Sequence, residues 1–231
     1  MSFLQTTLSG NFDELDRLTT LANGTQVEWI ENGVLRVSPK SSKLSNSGRS
    51  SSNQLIISSG IHGNETAPME IVDAIVNDIY SGELSVQTEV LFIIGNPEAA
   101  RAQQRFIDDN LNRLFSGKYK QFSSPEADRA QALEKIVRDF YSQELPLNGQ
   151  RLHYDLHTAI RGSELEKFAV YPYLSDQNWS SAQIGFLERC GIQAVLLSSQ
   201  PSGTFSYFTS NEFGAHSFTC LLYTSPSPRD A

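Results

Sequence analysis

The stretch from Ser58 to Val72, SSGIHGNETAPMEIV, changes its period halfway along. It closes a strand-like run, Leu55 to Ser58, crosses a tight polar loop carrying His62 and Glu65, and then enters helical spacing. Met69, Val72, Ile75, Val76 and Ile79 continue that spacing as one apolar face. A strand passing through a short loop into an amphipathic helix is the crossover unit of an α/β sheet. The loop then sits at the carboxyl edge of the sheet, where such folds hold ligands. His-x-x-Glu at that edge offers a divalent metal one nitrogen and one carboxylate oxygen, and a third ligand would complete an open site. The competing reading is structural, because Asn64 and Glu65 also stand where a helix start wants polar and acidic side chains.

The rest of the chain repeats the alternation. Residues 11–21 are expected to form a short helix, and Val27 to Ile30 with Val34 to Val37 a hairpin turning at Asn32-Gly33. The serine-rich segment 41–53 is expected to be an exposed, disordered loop. Val90 to Ile94 is continuously apolar, as in a strand covered on both faces, and Gly95 with Asn96-Pro97 stops it. Arg101 to Phe115 is rich in Arg, Asp and Asn, which suits a solvated surface or a polar pocket wall. Ser124-Pro125 opens a helix with Ala130, Leu133, Ile136, Val137 and Phe140 inward. Strands are expected at KFAVYPYL and QAVLLSS, with a helix over 176–190 burying Trp179, Ile184 and Leu187. The fold class expected is α/β, a mixed and mostly parallel sheet flanked by helices, occupying residues 1–219.

A formal net charge of -8 argues against nucleic acid as a partner, since phosphates call for a basic face. A small anionic substrate is compatible with it, provided arginines collect in the pocket. No run is long enough to span a membrane, and the first residues carry no basic region ahead of an apolar one, so a cytoplasmic protein is expected. Cys190 and Cys220 are expected to be small core residues in a reducing compartment.

A candidate third ligand, His157, lies in RLHYDLHTAI, residues 151–160, where a satisfied polar histidine at a strand end is the competing reading. Strand alternation puts His153, Asp155 and His157 on one face, with Asp155 available to orient a histidine. His62, Glu65 and His157 together make two imidazoles and a carboxylate, the ligand set of one catalytic Zn2+ with its fourth position left to water.

At this point the sequence resembles a known family. GIHGNETAP, GNPEAARAQQRFIDDNLNR and DLHTA are similar to three signatures of the succinylglutamate desuccinylase and aspartoacylase family of zinc carboxypeptidase-like hydrolases. GSELEKFAVYPYL and PSGTFSYFTSNEFGAHSFT extend the likeness on its desuccinylase side as far as Thr219. The resemblance implies that His62, Glu65 and His157 hold zinc. It implies that Arg105 faces the scissile carbonyl, and that Asn112 with Arg113 grips a substrate carboxylate. Read from the residues alone, ordinary salt bridges from Arg105 and Arg113 to Asp108 or Asp109 are the favoured reading, and the resemblance reverses it. The implied reaction is hydrolysis of N-succinylglutamate to succinate and glutamate, closing arginine breakdown by the succinyl route. The neighbouring readings are an aspartoacylase-like or carboxypeptidase-like hydrolase and a non-catalytic zinc- or ligand-binding chain.

The sequence departs from the family after HSFT. The family pattern continues with leucine and a general-base glutamate, whereas Cys220, Leu221 and Leu222 follow here, leaving Leu221 at the glutamate's position. Residues 220–231, CLLYTSPSPRDA, read as a translated sequencing adapter. They are expected to be a non-native tail on a domain incomplete at its C-terminus, with hydrolysis impaired.

Overall fold

A computed structural model of the chain describes residues 2–40, 53–159, 165–174 and 179–222. The first part contains α1 (Phe3–Ser9), β1 (Leu18–Thr20), β2 (Gln26–Glu31), β3 (Val34–Ser38), β4 (Gln54–Ser59), α2 (Thr66–Ser81) and β5 (Glu89–Ile94). Then come α3 (Pro97–Arg101), α4 (Pro125–Tyr141), β6 (Arg151–His157), β7 (Lys167–Tyr171), α5 (Ser181–Arg189), β8 (Ala194–Leu197), α6 (Phe205–Phe213) and β9 (His216–Leu222).

The strands join one sheet in the order β1-β2-β3-β5-β4-β6-β9-β7-β8. Its centre is parallel: β4 pairs with β5 on one side and β6 on the other, and β6 pairs with β9. The β1–β3 meander joins this centre antiparallel through β3 and β5, and β7 joins β9 antiparallel. The α/β mixed sheet is therefore as expected. Because the chain leaves β4 toward β5 and later returns to lay β6 on the other side, strand order reverses at β4. A crevice opens at such a reversal outside the carboxyl ends of the strands.

The apolar run of β5 shows why the sheet is covered on both faces. Val90, Phe92 and Ile94 pack with Met69, Val72, Val76 and Ile79 of α2. Leu91 and Ile93 point the other way, into a cluster with Ala130, Leu133 and Val137 of α4 and Phe205 and Phe208 of α6. Fully burying an aliphatic or aromatic side chain is worth about 1.5–3 kcal/mol, so a strand flanked by two helices gains from being apolar at every position.

Three expectations change. Residues 11–21 form no helix; a 3-10 turn at Phe12–Glu14 precedes β1, whose backbone is taken up by antiparallel pairing with β2. The helix instead lies ahead of them, in α1, started by a capping box between Ser2 and Gln5. Trp179 is 42% exposed and precedes α5, which buries Gln183 and Leu187. Cys190 is exposed at the C-cap of α5, while Cys220 is buried as expected. The serine-rich expectation falls on residues 41–52, outside the described residues. The polar stretch 101–115 is a pocket wall that also sends Leu111, Leu114 and Phe115 into the core.

Arg129 of α4 ties the meander to the carboxyl end of β5. Its Nε donates to the Gly95 carbonyl (2.7 Å), its Nη2 to the Asn32 and Ile94 carbonyls (both 3.0 Å), and its Nη1 pairs with Glu31. Removing a donor from buried acceptors costs about 1–3 kcal/mol. We expect Arg129→Met to lower unfolding stability by about 2–4 kcal/mol. Urea denaturation checks this, and an unchanged midpoint would refute it.

Candidate active site

His62 and Glu65 stand on the loop leaving β4, and His157 is the last residue of β6. The two strands are adjacent and parallel, with Ser58 opposite Asp155, so both segments emerge at the same edge. His62 Nδ1 lies 3.0 Å from Glu65 Oε1, and His157 Nδ1 lies 3.0 Å from Glu65 Oε2. One ligand atom from each of the three residues falls within 4.8 Å of the other two. All three side chains are buried.

The loop is shaped by close approach to α3. A Cβ on Gly63 would come within 2.2 Å of the Ala99 carbonyl carbon and 2.3 Å of the Ala100 nitrogen, so only glycine fits there. Glu65 occupies the N-cap position of α2 but makes no side-chain capping bond. Its carboxylate is turned to the two histidines, to the Thr158 N–H (3.2 Å) and to Arg105, and so is not the cap of α2.

The charges of these groups are set by one another. Burial alone would raise the Glu65 carboxyl, but the hydrogen bond from His157 and the proximity of both imidazoles hold it well below the usual carboxylate range. Burial would likewise lower His157, yet the Asp155 carboxylate at its Nε2 (2.8 Å) and Glu65 at its Nδ1 raise it to about 10. Asp155 is therefore the orienting partner expected from strand alternation. It is fixed in turn by the Ser58 hydroxyl, which donates to its Oδ1 at 2.6 Å.

The donor set fits a divalent cation. His62 Nδ1 is buried without a hydrogen-bond partner, although Glu65 Oε1 is only 3.0 Å away, because the approach lies outside hydrogen-bond geometry. An orphaned imidazole nitrogen, a carboxylate and a second imidazole facing one point need an electrophile to satisfy them together. Two nitrogens and one carboxylate oxygen are the chemistry that zinc accepts.

These residues line one wall of a cavity of about 640 Å³ whose border also includes Arg105, Asn112 and Arg113. All six residues singled out in the sequence thus come together. Arg105 donates to Glu65 Oε1 (2.9 Å), with its Nη2 3.0 Å from His62 Nε2, and so pairs with Glu65 in place of Asp108 or Asp109. Asn112 Oδ1 accepts the Phe205 N–H at 2.9 Å and so holds the start of α6. Arg113 is exposed and donates to the Asn112 carbonyl at 2.8 Å.

Sequence reading missed other parts of the site. Asn110 Oδ1 lies 3.1 Å from His62 Nε2 and accepts the Asn112 N–H at 3.0 Å. Ser202, Thr204, Ser206 and Thr219 give the opposite wall a chain of linked hydroxyls. The Asn-x-Asn spacing of 110–112 was the available signal for the first. The hydroxyls come from a loop, a helix start and a strand, and have no common period.

The catalytic-domain model of the succinylglutamate desuccinylase/aspartoacylase family matches residues 51–222. The succinylglutamate desuccinylase of Pseudomonas paraeruginosa is 42% identical over 219 residues, which is 95% of this chain and 63% of that protein. The chain therefore spans a little under two thirds of that relative's length. The X-ray structure of the succinylglutamate desuccinylase from Vibrio parahaemolyticus aligns with a TM-score of 0.87 at 40% identity, over 98% of this chain and 74% of its own. A metallo-carboxypeptidase from Burkholderia cenocepacia shares the fold, with a TM-score of 0.63 at 12% identity over 95% of this chain and 59% of its own.

Two outcomes follow from the geometry. Gly63→Ala should displace the His62–Glu65 loop and weaken zinc binding at least about tenfold, read by competition with a chelator. The second concerns pH. A proton on His157 is favoured by folding, so its stabilising contribution is complete below the ordinary histidine value of 6.5 and fades as pH rises through about 10. A cation must displace the Nδ1 proton, so apparent zinc affinity should climb with pH above 6.5, by up to about tenfold per unit. An affinity flat between pH 6.5 and 9 would contradict this.

Proposed function

Because the chain belongs to the succinylglutamate desuccinylase/aspartoacylase family, we propose that it carries the metal and substrate machinery of a zinc-dependent hydrolase of N-succinylglutamate. The products would be succinate and glutamate, and the setting the succinyl route of arginine breakdown. The observation that carries this reading is the meeting of His62, Glu65 and His157 in a cavity that also holds Arg105 and Arg113. Those ligands fit zinc, which when bound supplies Lewis acidity and makes water more acidic.

The protein's own residues do the rest. His62, Glu65 and His157 would hold the ion, and Asp155 would keep the His157 ring turned toward it. Arg105, one bond away from Glu65, is suited to receive the charge that grows on the scissile carbonyl oxygen. Arg113, with the Asn112 amide nitrogen, would take a substrate carboxylate through the planar guanidinium fork. An anionic substrate gives a reason for arginines to collect at one cavity in a chain of net charge -8.

A second reading is favoured by one residue. Leu221 borders the cavity and pairs in register with His157. The family pattern has its general-base glutamate at this position, and a leucine carries no proton. On this reading the chain captures zinc and ligand with little turnover.

Hydrolysis of N-succinylglutamate, N-acetylaspartate and a peptide by the zinc-loaded chain separates the enzymatic alternatives. N-succinylglutamate should bind most tightly and be the preferred substrate, with low turnover. Leu221→Glu should raise turnover by about 10²–10⁴, the usual worth of a positioned acid/base. Arg105→Ala in that background should lower it about 10²–10³. Equal handling of all three compounds, or no gain from Leu221→Glu, would overturn the assignment.

A further inference from the structure

Arg105, Asn110, Asn112 and Arg113 share the segment between α3 and α4, whose regular structure amounts to 3-10 turns at Leu111–Arg113 and Lys118–Gln121. Residues 106–108 are exposed, so packing does not fix this part of the chain. Groups that must meet a substrate need a backbone held from outside.

Glu126, in the first turn of α4, supplies that hold. It is 1% exposed. Its Oε1 accepts the Ile107 N–H (2.7 Å) and the Asn96 side-chain amide (3.1 Å). Its Oε2 accepts the N–H groups of Asp108 and Asp109 (both 3.3 Å). Three consecutive backbone donors therefore converge on one carboxylate. On the near side of Ile107, the Arg105 carbonyl accepts the Gly63 N–H (3.1 Å), which pins the same segment to the metal loop. Burial alone would raise the Glu126 pKa, but the donors from Ile107, Asn96, Asp109 and Asp108 outweigh it and lower the pKa, so the group is ionised near neutral pH.

Helix α4 does not depend on this carboxylate. Ser124 caps it through the Ala127 N–H (3.3 Å), and Pro125 opens its first turn. Gln at 126 keeps the volume but turns an NH2 toward two N–H donors whichever way the amide is placed. Its effect should therefore be confined to the segment that the carboxylate gathers.

We propose that Glu126 is a positioning residue for the substrate side of the cavity: by gathering the backbone of residues 107–109 it aims Arg105 and Asn110 at the His62–Glu65–His157 cluster. This rests on the reading of Arg105 as the group that faces the scissile carbonyl, whose oxygen it would already contact in the bound substrate.

The test uses the zinc-loaded chain as wild type, E126Q, E126D, R105A and E126Q/R105A, with N-succinylglutamate as the calorimetric probe. In E126Q, amide hydrogen exchange at Ile107, Asp108 and Asp109 should speed up at least about tenfold, with α2 and α4 unchanged. Zinc should stay at one per chain, while the probe's Kd rises about tenfold, comparably to R105A. The double variant should weaken binding no further than R105A alone, a non-additivity that general destabilisation would not produce. E126D, which keeps both acceptor oxygens, should lie between wild type and E126Q, and it carries the test if E126Q does not fold. Wild-type binding by E126Q beside a weakened R105A overturns the positioning role. So does E126Q or E126D with unchanged exchange at 107–109. Wild-type binding by R105A instead overturns the reading of Arg105, and the proposal falls with it.

Discussion

The carboxylate of Glu65, held between the imidazoles of His62 and His157, is the interaction on which the rest of the site depends. Taking an ionised carboxylate out of water costs several kcal/mol unless its partners are complete. Completeness here requires side chains from two parallel strands to reach one point. That requirement is passed on through the fold. His157 needs Asp155, Asp155 needs the Ser58 hydroxyl, and Ser58 Oγ also lies 2.8 Å from His153 Nε2. Beyond it, His153 Nδ1 meets Thr209 Oγ1 at 2.9 Å, and Thr209 meets Ser217 at 2.8 Å. The polar line thus runs from the cavity floor between the sheet and α6. Burial pushes His153 down to about 4, so at neutral pH it is an uncharged link in that line. A network of this kind is stable only when every member is satisfied, and the member left open is His62 Nδ1, at the place where a cation would sit.

Sheet topology explains why this chemistry collects at one edge. The reversal of strand order at β4 leaves the carboxyl ends of β4 and β6 side by side. The loop after β4 must then turn sharply under α3, and Gly63 permits it where any side chain would meet the Ala99 carbonyl carbon. The arginines arrive differently, on an irregular segment whose geometry comes from hydrogen bonds to Glu126 and Gly63. The ligand cluster is therefore rigid through strands, and its substrate-facing neighbours are rigid through a few backbone donors.

That difference decides how much could be read from sequence. The His62–Glu65–His157 cluster was legible because each member sits on an element with a strong period: His62 and Glu65 between the β4 run and the α2 face, His157 on the alternation of β6. The same alternation exposed Asp155, and the apolar run at Val90 gave the doubly covered strand. Glu126 was hidden because it reads as an ordinary acidic residue in the first turn of a helix, and its backbone partners lie 17 to 19 positions back. Residues 11–21 failed for a related reason: local propensity was overruled by pairing with β2. The capping box of Ser2 and Gln5 was a local signal that went unread. Trp179 and Cys190 flank α5 rather than lie on its buried face, because the helix is shorter than the 176–190 pattern implies.

The register of β9 sharpens the chemical question. Thr219 pairs with Asp155 and Leu221 with His157, so residues 219 and 221 face the cavity while Cys220 turns into the core. Burial raises the Cys220 thiol far above its ordinary value, and its place on the opposite face keeps it away from the site. Among the described residues bordering the cavity, the ionisable ones are His62, Glu65, Arg105, Arg113 and His157. Three of these are the proposed ligands, and a guanidinium stays protonated at any relevant pH. A proton moving between water and a leaving amine therefore has no carrier in this wall, unless position 221 provides one. The strand register makes that position the natural one, since any side chain there stands beside His157 at the border of the same cavity as Arg105. On the proposed function two tasks are separated: holding a metal and an anion, for which β4, β6 and the Glu126-bound segment would serve, and moving a proton, for which Leu221 of β9 has no group.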